Sequence, residues 1–263
     1  MLFDRGLFPS RSRAAAAVMA GEVRVGDQQK LIDKPGQQVD DQVAVHIAER
    51  PRYVSRGGEK LRNALDALGL AVEGRTAIDV GASTGGFTDC LLQAGADRVI
   101  ALDVAYGELD WSIRNDERVV VVERTNARHL QDGDLEFAPD LAVCDVSFIS
   151  LCKVLPAVVP QLADRHDVLA MVKPQFEVGK GRVGSGGVVR DPALRREAIE
   201  TVARFLGDQC GSVVMGAASS GLPGPKGNRE TFLWLAEAGR SGGLSAEQFS
   251  SVLDEIEPVG AGA

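Results

Sequence analysis

The stretch from Ala77 to Gln93, AIDVGASTGGFTDCLLQ, constrains the fold of this chain more than any other. Residues 77–80 form a short apolar run with one acid, and six small residues follow it. Phe87, Cys90 and Leu91 then recur at helical spacing. The pattern predicts a buried strand, a glycine loop and a helix. Small side chains let a ligand approach the loop, and the helix start offers free backbone N–H groups.

The spacing of the glycines argues against a dinucleotide ligand. A dinucleotide loop has the pattern G-x-G-x-x-G, but Ser83 stands where the second glycine belongs. Asp79, near the end of the strand, would repel a pyrophosphate and attract a cation, so S-adenosylmethionine fits better. Asp103, about twenty residues further on, ends the next apolar run, where an acid can hold ribose hydroxyls. An ordinary strand, turn and helix without a ligand is the alternative, and Asp103 makes it less favoured.

The composition is that of a globular protein of 263 residues, enough for one large domain and a small one. No apolar run reaches the ~20 residues that span a bilayer, and the first residues lack the long apolar core of a secretory signal. Four separate cysteines predict buried free thiols in a reducing cytoplasm: Cys90, Cys144, Cys152 and Cys210. With three scattered histidines and no C-x-x-C spacing, we expect no metal site.

Charge is distributed unevenly along the chain. The net charge of −8 argues against nucleic-acid binding over the whole surface. Residues 1–60, however, carry ten Lys or Arg and eight Asp or Glu, whereas the remaining residues carry nineteen and twenty-nine. Any contact with RNA must therefore use local basic patches.

Residues 1–48 predict a small α+β domain. Ser10 can cap a helix that runs to about Ala20, and short strands are expected at 22–25 and 42–47. A basic face suited to phosphates would comprise Arg5, Arg11, Arg13, Arg24, Lys30 and Lys34. A solvated helix face would give the same charge pattern.

The segment RGLFPSRSRAAAAVMAGEVRV resembles the small RNA-binding domain first seen in a ribosomal small-subunit protein, the S-four-like domain. The resemblance implies RNA contacts by Arg5, Ser10, Arg11, Arg13 and Arg24. Compared with that domain, the chain begins inside the first helix. We therefore expect either a start upstream of Met1 or a short first helix with mobile packing.

Residues 49–59 predict a solvated linker, because Pro51 blocks a helix and charges surround it. An amphipathic helix is expected to begin at Lys60. Beyond it, up to residue 240, apolar strands alternate with helices. The strands are expected at 76–80, 98–102, 118–122, 140–144, 167–172, 211–217 and 230–236, and the helices near 86–94, 108–114, 150–162 and 192–206.

This alternation predicts an α/β fold, a parallel sheet with helices on both faces. Only a loop at 219–228 joins the last two strands, so the last strand should run antiparallel. The layout is that of a seven-stranded Rossmann-like methyltransferase sheet. Residues 241–263 predict a tail, with a weak helix from Ala246 to Ile256 and a disordered end.

Four ionisable residues are expected at the sheet edge that carries the glycine loop, where ligands bind in open α/β sheets. Asp145 and Lys173 end two strands, Glu230 begins the last strand, and Lys60 begins the first helix of this domain. Burial of an amine favours the uncharged form that accepts a proton. A strand-end lysine that reaches solvent is the alternative for Lys173, and a plain surface lysine is the alternative for Lys60.

Several motifs together resemble the TlyA-type family: SRGGEKL, DVGASTGGFTDCLL, RTNAR, CDVSFISL, VKPQFEVGKG, GGVVRDP and LPGPKGN with FLWL. That family comprises ribosomal RNA ribose 2′-O-methyltransferases, historically also labelled haemolysins, and is similar to the FtsJ-like enzymes with their Lys-Asp-Lys-Glu set. The resemblance implies Lys60, Asp145, Lys173 and Glu230 as that set. The expected residues around S-adenosylmethionine are Asp79, Gly81, Ala82, Ser83, Gly85, Gly86, Asp103, Asn126 and Asp145.

A mechanism follows as a hypothesis. Neutral Lys173 takes the proton of a ribose 2′-hydroxyl, Lys60 steadies the developing alkoxide, and Asp145 and Glu230 orient the two lysines. The implied partner is ribosomal RNA, with a cytidine as the expected target, and the implied location is the cytoplasm. A glycine-rich loop at 178–187 carries Lys180 and Arg182, which could meet RNA phosphates; a flexible linker is the alternative. No aromatic stacking platform is evident.

Three other functions compete with this one. An RNA-binding protein without activity would not need the complete Lys-Asp-Lys-Glu set. A haemolytic protein would need a membrane-seeking segment, and no strong one is evident in the sequence. An NAD-dependent dehydrogenase is disfavoured by Asp79 and Ser83.

Overall fold

The computed structural model describes residues 1–19, 21–47 and 51–257, and the chain divides into two compact units, Met1–Arg52 and Tyr53–Ala263. Each unit has its own hydrophobic core. The helices in the described part of the chain include none that is both long enough and apolar enough to cross a membrane.

Unit 1 is a small helix-and-sheet domain. It contains α1 (Arg11–Met19), β1 (Val23–Val25), β2 (Lys30–Leu31) and β3 (Val45–Ile47). The strands form an antiparallel sheet in the order β2-β1-β3. The predicted helix and two strands are present, and β2 was not predicted. The predicted helix end at Ala20 lies outside the described residues.

Unit 2 begins with a helix that starts earlier than the sequence pattern predicts. Helix α2 spans Arg56–Leu68, with Ser55 as its N-cap. The Ser55 hydroxyl accepts a hydrogen bond from the backbone N–H of Gly57 at 3.3 Å, which stabilises the helix start. The expectation that Lys60 begins the helix is therefore wrong, since Lys60 lies in its second turn. The predicted linker, 49–59, overlaps α2, and its residues 49 and 50 lie outside the described residues.

The sheet of unit 2 has seven strands. They are β4 (Thr76–Val80), β5 (Arg98–Leu102), β6 (Val119–Val122), β7 (Leu141–Cys144), β8 (Asp167–Val172), β9 (Val213–Ser219) and β10 (Thr231–Ala236). Their order is β6-β5-β4-β7-β8-β10-β9. The pairs among β4 to β8 are parallel, and β10 is antiparallel to both of its neighbours. The α/β fold with an antiparallel last strand is confirmed.

The remaining helices cover the two faces of this sheet. They are α3 (Gly86–Gln93), α4 (Trp111–Arg114), α5 (Leu155–Val158), α6 (Pro174–Glu177), α7 (Pro192–Cys210) and α8 (Ala246–Ile256). The single helix predicted at 150–162 is instead α5 with short 3₁₀ turns on both sides. Pro156 and Pro160 explain the break, because proline lacks the N–H that a helix interior requires.

Helix α8 belongs to the core of unit 2 and is not a weakly packed tail. Its N-cap Ser245 and Gln248 form a reciprocal capping box. Leu253 is fully buried in the cluster that also contains Val202 and Leu206 of α7. The predicted disorder at the extreme end falls on residues 258–263, which lie outside the described part.

The four cysteines are free thiols, as far as the described residues show. Cys90 and Cys144 are buried, whereas Cys152 and Cys210 are only partly buried. Burial raises the pKa of the Cys144 thiol far above its usual value, so this side chain packs as an inert apolar group.

Candidate active site

A cavity of about 710 Å³ lies at the carboxyl edge of the parallel strands in unit 2. Its walls come from the start of α2, the glycine loop after β4, the segments after β7 and β8, and the loop before β10. The four predicted catalytic residues, Lys60, Asp145, Lys173 and Glu230, all line it. The structure thus brings together side chains that are far apart in the sequence, because parallel strands end at one edge.

The glycine loop forms the floor of this cavity. Gly81 has a positive φ of 87°, and a Cβ there would lie 2.7 Å from the backbone oxygen of Asp145. A Cβ on Gly86 would lie 2.1 Å from the hydroxyl of Ser55. These two glycines therefore let the loop pack directly against Asp145 and Ser55, which form neighbouring parts of the cavity wall.

Lys60 and Glu230 form a buried ion pair on one side of the cavity. The Lys60 Nζ lies 2.5 Å from Glu230 Oε2, and the two side chains are only 9% and 2% exposed. A buried charge is tolerated when its partner is in place, and it is costly when the partner is removed. Lys60 is therefore held as a fixed cation on the cavity wall, and the plain surface lysine is excluded.

Lys173 and Asp145 form a second ion pair, which is more open to the cavity. The Lys173 Nζ contacts Asp145 Oδ1 and also donates a hydrogen bond to Ser147 Oγ at 2.9 Å. Lys173 is 9% exposed, so its amine does not reach bulk solvent in the way a snorkelling strand-end lysine would. Ser147 was not singled out in the sequence, although its motif CDVSFISL was.

Glu177 fastens the two segments that carry this second pair. Its carboxylate accepts hydrogen bonds from Ser150 Oγ at 2.6 Å and from the backbone N–H of Leu151 at 2.9 Å. Burial raises the pKa of Glu177. These contacts connect α6, which follows Lys173, to the loop that follows Asp145. They thereby help to hold the Lys173 amine next to the Asp145 carboxylate. Sequence reasoning missed this residue.

An aromatic pair at the mouth of the cavity corrects the expectation that there is no stacking surface. Phe148 is 92% exposed and has a positive φ of 65°. Its ring centroid lies 5.3 Å from that of Phe176, and both residues line the cavity. A large residue in the left-handed region is uncommon and is a feature of functional loops.

Asp79 does not lie where the sequence analysis expected it. Its carboxylate is fully buried below the loop and accepts hydrogen bonds from the backbone N–H and the hydroxyl of Thr88, at 2.9 and 2.7 Å. Its other oxygen has no hydrogen-bond partner among the described residues. Burial raises the pKa of Asp79 to about 7. The side chain therefore supports α3 beneath the loop and does not face a ligand in the cavity.

The other predicted cofactor residues divide into two groups. Those on the cavity wall are Gly81, Ala82, Ser83, Gly86 and Asp145. Asp103 lies beside them, and its carboxylate accepts hydrogen bonds from the backbone N–H groups of Ser83 and Ala105, both at 2.7 Å.

Besides Asp79 and Asp103, two more of the predicted cofactor residues do not line the cavity. Gly85 is the N-cap of α3, and a Cβ there would meet Leu109 at 2.8 Å. Asn126 is exposed and caps a short 3₁₀ turn through the N–H of Arg128 at 3.1 Å.

The residues present fit S-adenosylmethionine. Gly81 and Gly86 line the cavity and carry no side chain, so a ligand can lie against the backbone there. Of the two carboxylates on the wall, that of Asp145 is the more exposed, at 25%, and remains open to a cationic ligand. Asp103 stands at the end of β5, next to the loop, where a carboxylate can accept from ribose hydroxyls.

The basic face predicted for unit 1 is exposed to solvent. Its side chains are those of Arg5, Arg11, Arg13, Arg24, Lys30 and Lys34. Arg5 and Arg24 also donate to backbone carbonyls within the unit, and Arg11 lies 3.5 Å from Asp4. The Ser10 hydroxyl accepts from the N–H of Arg13 at 3.2 Å, so it serves as the cap of α1.

The glycine-rich loop of unit 2 is partly ordered by short 3₁₀ turns at Lys180–Arg182 and Ser185–Gly187. Lys180 is exposed, and Arg182 pairs with Glu197 at 2.5 Å. A fully flexible linker is therefore not what the structure shows.

Three comparisons place the chain among known proteins. The model of the FtsJ-like methyltransferase family matches residues 53–237. Over 237 residues, 89% of this chain and 87% of the relative, the sequence is 51% identical to the 16S/23S rRNA (cytidine-2′-O)-methyltransferase TlyA of Mycobacterium tuberculosis. It is 38% identical to Hemolysin A of Brachyspira hyodysenteriae over 86% of this chain and 94% of that protein.

A solved structure from Streptococcus thermophilus that bears a hemolysin name is similar in fold as well. Its sequence is 40% identical, the TM-score is 0.74, and the match covers 97% of this chain and 92% of that one. The chain is thus similar in sequence to proteins of both kinds of name, and its fold is similar to that of a protein with a hemolysin name.

Proposed function

This chain belongs to the FtsJ-like methyltransferase family and to its TlyA group, and on that premise we propose that it transfers a methyl group from S-adenosylmethionine to a ribose 2′-hydroxyl of ribosomal RNA. A cytidine is the proposed target, as in the name of the mycobacterial relative. The observation that carries the proposal is the convergence of Lys60, Asp145, Lys173 and Glu230 on one cavity beside a glycine loop. Ribosomal RNA would be met in the cytoplasm.

A ribose 2′-hydroxyl is a poor nucleophile, so the enzyme must orient it and help its proton to leave. S-adenosylmethionine, when bound, supplies a methyl group carried by a positively charged sulfur. We assign the proton of the hydroxyl to Lys173 Nζ, which faces the cavity from the end of β8. An uncharged amine is required for this step.

Lys173 is held in place by its neighbours. Asp145 and Ser147 contact its Nζ from the loop after β7, and Glu177 fixes that loop. A base that is positioned before the substrate arrives does not have to be ordered during the reaction. Asp145 and Ser147 are thus positioning residues in this proposal, together with Glu177.

Lys60 supplies the second cation. Its amine is fixed by Glu230 at 2.5 Å and remains on the cavity wall. A fixed positive charge in a site that excludes water stabilises the negative charge that develops on the 2′-oxygen.

The RNA side of the cavity carries groups suited to a nucleotide. The rings of Phe148 and Phe176 offer an aromatic surface, and bases stack on such surfaces whatever their sequence. Lys180 and Lys226 are exposed in the neighbouring loops, and the exposed arginines of unit 1 offer further contacts to phosphates.

The proposal is tested by methyl transfer to ribosomal particles. The protein is incubated with methyl-labelled S-adenosylmethionine and each purified ribosomal subunit from a strain that lacks this modification. The RNA is then hydrolysed in alkali. We expect label in alkali-resistant dinucleotides, because a 2′-O-methyl group blocks cleavage at that position. Label in single nucleotides, or no label in either subunit, would contradict the proposal.

A further inference from the structure

A second cavity, of about 440 Å³, lies behind one wall of the candidate active site. Its lining consists of Val188, Val189, Arg190, Pro192, Arg195, Gly227 and Arg229. Three of these seven residues are arginines, and no Asp or Glu of the described chain is among them. Such a surface suits an anion.

The three arginines are not equivalent. Arg195 is buried, and its guanidinium is neutralised by Glu257 at 2.5 Å. Arg190 is exposed, and its guanidinium donates a long hydrogen bond, 3.4 Å, to the carbonyl of Ser185. Arg229 is exposed and has no hydrogen bond or ion pair with any described residue. Two guanidinium groups therefore retain free donors beside the cavity.

One buried side chain fixes this cavity relative to the active site. Asn228 is 2% exposed, its Oδ1 accepts from the N–H of Val189 at 2.9 Å, and its Nδ2 donates to the carbonyl of Gly187 at 2.8 Å. Asn228 and Gly187 line the active-site cavity, whereas Val189 and Arg229 line the second one. The two cavities share this wall, and Arg229 directly precedes Glu230 in the chain.

On the premise of the proposed function, we propose that Arg190 and Arg229 bind a phosphate of the RNA backbone next to the methylated ribose. Guanidinium groups match the geometry of phosphate oxygens with two parallel hydrogen bonds. A phosphate contact positions the strand without reading its sequence. The pocket would set the register that brings one 2′-hydroxyl to Lys173.

The test replaces both arginines, as the double variant Arg190→Gln and Arg229→Gln. We expect KM for the ribosomal subunit to rise about tenfold, with kcat changed less than about twofold. The slope of log affinity against log salt concentration should fall in magnitude by about 0.7–0.9, the value for one phosphate. The affinity for S-adenosylmethionine should not change. Arg229→Lys, which keeps the charge and loses the planar fork, should give an intermediate KM.

Arg204→Gln is the matched control, because Arg204 is an exposed arginine on α7 that lines neither cavity. It should leave KM and the salt slope unchanged. An unchanged KM and salt slope in the double variant, with methyl transfer intact in the wild type, would overturn the phosphate site and leave the proposed function standing. If the wild-type protein itself transfers no methyl group to RNA, the proposed function is overturned.

A free anion, such as inorganic phosphate, could also bind to the two arginines in place of an RNA phosphate. Inorganic phosphate is therefore compared with chloride at equal ionic strength. If phosphate inhibits the wild type more than chloride does, and the double variant loses this difference with an unchanged KM for RNA, the pocket binds a free anion and the RNA phosphate is excluded.

Discussion

The two edges of the seven-stranded sheet both carry ion pairs, yet they differ in what surrounds them. At the carboxyl edge, Lys60 with Glu230 and Lys173 with Asp145 line an open cavity. At the opposite edge, where the parallel strands begin, the cations are arginines, and they pair with carboxylates in a network that does not line the active-site cavity. The comparison indicates that the lysine pairs at the carboxyl edge serve the chemistry, whereas the arginine pairs at the opposite edge serve stability.

The opposite edge is a network of planar cations and carboxylates. Arg75 donates to Asp140 and to Asp167, each at 2.8 Å. Arg75 and Asp140 directly precede β4 and β7, and Asp167 is the first residue of β8. Asp167 also accepts from Trp234 Nε1 at 2.8 Å and lies 3.4 Å from Arg240. Arginine is always charged and offers five donors, so it suits a fixed network. Lysine can lose a proton, and both lysine pairs lie on the cavity wall.

Lys60 is predicted to affect both the rate of methyl transfer and the stability of the fold. In Lys60→Met we expect the rate of methyl transfer to fall about 10²–10³-fold, the usual cost of losing a fixed group that stabilises an oxyanion. Removing one partner of a buried pair also lowers stability, by about 3–5 kcal/mol. Single-turnover transfer and urea unfolding measure the two effects.

A double variant separates these effects. Lys60→Met combined with Glu230→Gln removes the unpaired charge, so stability should largely return while the rate stays low. Full recovery of the rate in the double variant would show that Lys60 acts only in folding, and the contrast between the two edges would fail.

Arg75 tests the opposite edge. Arg75→Met leaves the mostly buried Asp167 without its main cation, and we expect a stability loss of about 3–5 kcal/mol. The rate of transfer should stay within about twofold at temperatures where the variant is folded. A large loss of rate in a fully folded variant would contradict the division between the edges.

Asp79, the fourth of the five residues of β4, lies just below the glycine loop and has no cation within hydrogen-bonding contact. Its pKa is about 7 in the folded protein, against an ordinary value of 3.8. The folded state therefore holds a proton that the unfolded state has lost, and the stability contributed by this group decreases as pH rises from about 4 to about 7.

Asp79→Asn should remove this dependence. Between pH 5 and pH 8, we expect the wild type to lose about 3 kcal/mol more of its unfolding free energy than the variant does. Urea unfolding at the two pH values gives both numbers. Parallel behaviour of the two proteins would mean that Asp79 is ionised throughout.

The smallest effect is expected for an exposed pair. Arg98 and Glu136 lie 2.5 Å apart, with side chains 42% and 57% exposed. Glu136→Gln should therefore change stability by less than about 1 kcal/mol. A thermal unfolding scan checks this. A loss as large as that of Arg75→Met would show that burial is not what distinguishes these pairs.

Much of the fold was predictable from local patterns. The bounds of β4, β5 and β8 agree with the sequence prediction to the residue, because each is an apolar run with polar residues or glycine at its limits. The start of α2 was missed because its cap is Ser55, while Gly57 and Gly58 weaken the helical pattern.

The site was less predictable, for two physical reasons. A strand covered on both faces shows no alternation of polar and apolar residues. The local sequence therefore does not indicate that the Asp79 side chain points to α3 and not to the cavity. Arg75 pairs with Asp140 and Asp167, which follow it by 65 and 92 positions in the sequence. Contacts over such separations cannot be predicted from local residue spacing. Phe148 lay within a recognised motif, but its left-handed backbone and exposed ring arise from the loop as a whole.

The measurement that tests the central claim most directly is single-turnover methyl transfer by Lys173→Arg at saturating S-adenosylmethionine and ribosomal subunit. Arginine keeps the positive charge beside Asp145 but cannot serve as a base. If Lys173 takes the proton, the variant should bind S-adenosylmethionine normally and transfer the methyl group about 10²–10⁴ times more slowly. Transfer at the wild-type rate would show that Lys173 acts only as a cation, and the proposed mechanism would be wrong.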